Sequence, residues 1–126
     1  MSDQAAMTFR PDVFAYLSGP ITAKDGYSVE DNVAAALKVY LACVRAGLAC
    51  FCPHLSGAFP SAFEVPYETW IANDFAIIDR CTHVVLLPRW ETSRGAVRER
   101  AYALEHGKLV VGSAMFLCSQ TTVDAP

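Results

Sequence analysis

HVVLLPRWETSRGAVRERAYALEHGKLVVG, residues 83–112, decides the fold. His83 to Pro88 is an apolar, β-branched run stopped by a proline, the pattern of a buried strand. At Ser93 the pattern changes. A serine suited to an N-cap opens a helix that runs to His106, and Gly107 supplies the stop. Lys108–Gly112 is again a short apolar run. Strand, helix and strand in this order form a βαβ unit. Its two strands run parallel because the helix carries the chain back to the starting edge.

The same alternation extends toward the N-terminus. VFAYLSG (13–19) reads as a first strand, followed by the turn Ser18-Gly19-Pro20. A loop over 20–27 leads to a helix capped by Ser28 or Asp31. That helix carries Val33, Leu37, Tyr40, Leu41 and Val44 at helical spacing and ends at Gly47. LACFCP (48–53) is the second strand. A loop over 54–66 holds Phe59 and Phe63, and a second helix spans Tyr67–Asp79. The order β-α-β-α-β-α-β predicts an α/β fold. The expected form is a three-layer, flavodoxin- or Rossmann-like parallel sheet of four to five strands with helices on both faces. The expected strand order is 2-1-3-4, so ligands should bind where the first and third strands diverge. One domain, 13–118, is expected between an N-terminal arm (1–12) and a C-terminal tail (119–126), with residues 113–126 left unassigned in secondary structure.

The composition narrows the function. Of 126 residues, 53% are hydrophobic and 18% charged, and the net charge is -3. An ordered core is therefore expected, and no basic cluster marks a nucleic-acid polymer as partner. A small molecule fits better. No apolar stretch is long enough for a membrane span, and the first residues lack the apolar segment of a secretory signal. The five cysteines, Cys43, Cys50, Cys52, Cys81 and Cys118, follow no disulfide frame. They read as reduced thiols of a cytoplasmic protein.

Three features carry possible chemistry. Asp74 falls on the apolar stripe Ile71, Phe75, Ile78 of the second helix, where a carboxylate is costly unless paired or functional. Ser93, Gly95 and Glu99 lie in the first two turns of the third helix. Capping, close backbone approach and a carboxylate one turn below suit an anionic ligand there. Tyr16 stands near the end of the first strand, at the expected switch point. Each alone is equally at home in a core or on a solvated helix. Cys50, Cys52 and His54 share a strand face, and Cys81 and His83 repeat that spacing, but the usual zinc-ligand pairs are absent. No metal is expected. A G-x-G-x-x-G loop is also missing, so no dinucleotide cofactor, and no cofactor at all, is expected.

Taken together, Tyr16-Leu17-Ser18-Gly19-Pro20-Ile21, Asp74, and Leu87-Pro88-Arg89-Trp90-Glu91-x-Ser93-x-Gly95-Ala96-x-x-Glu99 resemble the nucleoside 2-deoxyribosyltransferase-like superfamily. The small branch related to 2'-deoxynucleoside 5'-phosphate N-hydrolases is the nearest in pattern. The resemblance implies that Glu99 attacks the anomeric carbon, Tyr16 holds it, and Asp74 protonates the leaving base. It also implies substrate contacts from Ser18, Gly19, Pro20, Ile21, Trp90, Ser93 and Gly95, and a homodimer or larger homo-oligomer. Arg98 is a further candidate for keeping Glu99 ionised. Two departures stand out: Arg89 replaces the family's glycine, and Pro20 stands where some relatives carry serine. The expected activity is base release from nucleoside 5'-monophosphates. The rival readings are base exchange between deoxynucleosides, a nucleotide-binding module without turnover, and an NAD glycohydrolase of related architecture.

Overall fold

The computed structural model describes residues 8–57 and 60–124. Phe59 and the first seven residues of the expected arm lie outside the described residues. Four strands form the sheet: β1 (Phe14–Ser18), β2 (Ala49–Phe51), β3 (His83–Leu86) and β4 (Leu109–Gly112). All pairings are parallel, in the order β2-β1-β3-β4. The fold is thus the expected α/β sandwich, with the switch point between β1 and β3.

Among the described residues five helices accompany the sheet: α1 (Val29–Arg45), α2 (His54–Gly57), α3 (Tyr67–Ile78), α4 (Arg94–Glu105) and α5 (Ser113–Asp124). Ser28 caps α1 in a reciprocal box with Asp31, so both expected cap residues take part. Gly47, at φ 75°, releases the chain from α1 toward β2. Two differences from the sequence reading concern short or weakly patterned segments. The expected loop 54–66 contains α2 and a 3₁₀ turn, Pro60–Glu64. The unassigned C-terminal stretch is α5, which runs past residue 119, where a tail was expected to begin. Its Phe116 is buried against the sheet, and that burial fixes the helix.

Alternate residues of each strand feed two cores. Ala15, Leu17, Val85 and Leu87 pack with Ala36 and Cys43 of α1 and Phe116 of α5. Tyr16, Val84 and Leu86 pack on the other face with Ile78 of α3 and Ala103 of α4. Helices therefore cover both faces, and period-two alternation sorts the side chains between them. Among the described residues no helix is long and apolar enough to cross a membrane.

Candidate active site

The site begins with α4. Ser93 caps it, accepting the Ala96 N–H at 3.1 Å. Ala96, Glu99 and Ala103 form the face turned to the sheet. Glu99 thus occupies a core-facing position flanked by two small residues, and only 5% of it is exposed. Its carboxylate is held from below by β1. The Tyr16 hydroxyl donates to Oε2 at 3.0 Å, and the Ser18 hydroxyl donates to Oε1 at 2.7 Å. Tyr16 and Ser18 stand two apart on β1, so the pleat aims both at the same carboxylate.

Asp74 approaches from α3 and interacts with both Glu99 and Tyr16. Burial, and then the neighbouring Asp74 carboxyl, push Glu99 well above the usual carboxylate range, while Ser18 and Tyr16 pull it back. Burial also raises Asp74, against hydrogen bonds that favour its charge. Two neighbouring carboxyls, one of them deeply buried, disfavour ionising together. Burial and the two carboxyls keep Tyr16 firmly protonated and so a donor.

Above this dyad lies a cavity of about 500 Å³, a size suited to a small molecule. Tyr16, Asp74 and Glu99 contribute to it, so the structure brings the three together, as the sequence reading required. Its polarity follows the strand order. On the β2 side the lining is Phe51, Pro53, Phe63, Val65 and Trp70. The Trp70 indole N–H donates to the Ala62 carbonyl at 2.6 Å and secures the 3₁₀ turn that forms this wall. On the β3 side the lining is polar and cationic, with Arg89, Thr92, Ser93 and Arg94.

The remaining expected residues divide. Gly19, Pro20, Ile21, Ser93 and Gly95 line the cavity. Gly19 has a second reason to lack a side chain: a Cβ there would meet Leu87 Cβ at 2.7 Å. At Gly95 an added Cβ would make only ordinary contacts, so the protein's own packing does not demand the glycine. Three expectations are corrected. Ser18 is fully buried beneath Glu99 and acts on that carboxylate rather than on a ligand. Trp90 turns away into the core under α4 and a separate groove with Met115 and Cys118, because the 3₁₀ turn Trp90–Thr92 points it there. Arg98 pairs with Glu68 through two hydrogen bonds, 2.8 and 3.1 Å, and so does not serve Glu99.

Sequence reasoning missed the residues that shape the loop after β1. Asn32, 3% exposed, donates through Nδ2 to the carbonyls of Ile21 and Thr22 at 3.1 and 3.0 Å. His54, 1% exposed, meets the Pro20 carbonyl at 2.8 Å through Nε2. Burial lowers the His54 pKa, so the neutral ring donates from Nε2–H and leaves Nδ1 toward Cys52, 3.8 Å away. Three successive carbonyls are thereby satisfied by side chains. The sequence signals were weak: His54 stood out only for its spacing from Cys50 and Cys52, and Asn32 lies beside the expected apolar stripe of α1, whose buried residues are Asn32, Ala36 and Cys43. Among the described residues no cluster of His, Cys, Asp or Glu is arranged to hold a metal, and no disulfide joins the five cysteines.

Fold and site together define a small α/β protein with a carboxyl pair, Glu99 buried and Asp74 half-buried, at the mouth of its parallel sheet. The chain belongs to the family described as Domain of unknown function (DUF4406), whose model matches residues 13–112. Comparison with curated proteins finds no match.

Proposed function

We propose that the chain is an N-glycosidase that releases the base from nucleoside 5'-monophosphates through a glycosyl-enzyme intermediate. The observation that carries this reading is the Glu99 carboxylate, held by Tyr16 and Ser18 and in contact with Asp74, at the floor of the cavity. The resemblance to the nucleoside 2-deoxyribosyltransferase-like superfamily assigns the same three residues.

The reaction uses the dyad with one proton. Glu99 attacks C1′ of the sugar; the C1′–N bond breaks and its electron pair leaves with the base. Asp74 gives its proton to that nitrogen. A water then attacks C1′ of the ester while Asp74, now ionised, takes its proton. Glu99 departs as carboxylate, and the free sugar phosphate forms. Retaining glycosidases space their carboxyls about 5–5.5 Å apart. Asp74 and Glu99 come close enough to interact across the cavity floor. Asp74 is half-buried and lines the cavity wall. Positive charge developing at C1′ is stabilised by Glu99, while Tyr16 and Ser18 fix its orientation. The aromatic wall on the β2 side suits a planar base, and the cationic β3 side suits a phosphate.

Chromatography of free bases after incubation with paired nucleosides and 5'-monophosphates tests this reading. Base release from the monophosphates, and a methyl glycoside when methanol is added, is the expected result. New nucleosides on addition of a second base would move the assignment to transfer. Bound nucleotide with no released base would reduce the site to a binding module.

A further inference from the structure

We propose that Arg89 is the specificity-determining residue of this cavity: a guanidinium fixed in advance to receive a phosphate monoester dianion. The proposal rests on the reading of the site as one for nucleoside 5'-monophosphates and names the residue that would select them.

Arg89 follows β3 in a left-handed conformation, φ 65° and ψ 22°, which a residue with a Cβ rarely adopts. Its side chain is held on two sides. Nη2 donates to Asn32 Oδ1 at 2.7 Å, and the guanidinium carbon lies 3.4 Å from the centre of the Tyr27 ring. Asn32 is itself fixed by its two bonds to the loop carbonyls. Tyr27 is fixed by a small hairpin in which Lys24 and Tyr27 pair across Asp25 and Gly26, both at positive φ. Neither contact consumes the charge. Among the described residues no carboxylate lies within ion-pair distance of Arg89, and Asp31, which feels its charge, is engaged in the α1 cap.

The same hairpin carries a second cation. Lys24 lines the cavity and donates one N–H to the Thr92 carbonyl at 2.9 Å, which leaves the rest of its ammonium available. The hairpin therefore ties the loop after β1 to the turn after β3 and brings two cations to one side of the cavity. A planar fork held by a ring and an amide loses little freedom on binding, so it suits a multiply charged, oxygen-rich group. A neutral hydroxymethyl end would leave that charge unmatched.

Calorimetric titration with 2-deoxyribose 5-phosphate and with inorganic phosphate tests the proposal on the whole chain. Wild type, Arg89→Gln and Arg89→Lys are compared, alongside base release from a matched monophosphate and nucleoside. The expected result is that Arg89→Gln weakens both ligands by about tenfold or more, that Arg89→Lys recovers part of the loss, and that wild-type binding weakens with salt. The monophosphate-to-nucleoside ratio of kcat/KM is expected to fall by the same factor. Tyr27→Leu, which removes the ring without touching the charge, gives an intermediate loss and carries the test if Arg89→Gln does not fold. Unchanged phosphate binding in the folded variants overturns the proposal. Arg89-dependent phosphate binding without any base release keeps it and removes the glycosidase reading. Base release that ignores the phosphate does the reverse.

Discussion

The two faces of the sheet are built from the same strands and put them to opposite uses. On the α1 and α5 side, β1 presents Ala15 and Leu17, and the face is closed by apolar side chains. On the α3 and α4 side, the same strand presents Tyr16 and Ser18, and the layer above carries Glu99 and Asp74. The first face gains stability from every residue. The second gives some of it up, because desolvated carboxyls raise the free energy of the folded state at neutral pH. Alternation along one strand thus lets a small domain hold a reactive pair without weakening its main core.

The sharpest test of this contrast is Glu99→Gln. Base release is expected to fall roughly 10⁴-fold, while the fold gains about 1–2 kcal/mol near neutral pH. The sign follows from the raised pKa. A carboxyl raised in the folded state favours folding below its unfolded value, and that benefit is lost as pH rises through the folded value. The advantage of the glutamine variant in thermal unfolding should therefore grow from acid to neutral pH. A melting point that drops at neutral pH would contradict the account of the second face.

Leu17→Ala, between Tyr16 and Ser18 on β1 but facing the other side of the sheet, should do the opposite. Its loss is expected to cost about 2–5 kcal/mol in denaturant unfolding, with kcat of the folded fraction changed only a few-fold. Loss of chemistry at intact stability would mean that the two faces are not separable.

Tyr16→Phe removes one donor to Glu99 and keeps the ring stacked on Phe51, 5.9 Å between centroids. A hydrogen bond to a charged group suggests a fall in kcat of about 10- to 100-fold and a stability change within about 1 kcal/mol. Smallest in rate but most diagnostic is the pH profile. Both carboxyls are raised, so the acid limb of base release should lie above the ordinary carboxylate range, about 4. The alkaline limb, where Asp74 loses its proton, should vanish in Asp74→Asn. An acid limb at the ordinary range would show that burial does not raise the pair.

What was readable in the sequence was whatever repeats or punctuates. Apolar runs at 13–19, 48–53, 83–88 and 108–112, with caps and glycines between them, determined four parallel strands and their order, because crossover handedness leaves few alternatives. Asp74 was visible as an acid on an apolar stripe, and Glu99 as a carboxylate among small residues. Tertiary structure alone decided which of these polar groups meet. It turned Ser18 under Glu99, sent Trp90 and Arg98 elsewhere, and joined Asn32, His54 and Arg89 around one loop. The physical reason is range. Periodicity is set by neighbours along the chain, whereas a hydrogen bond between residues 18 and 99 depends on the packing of two layers, which no local pattern encodes.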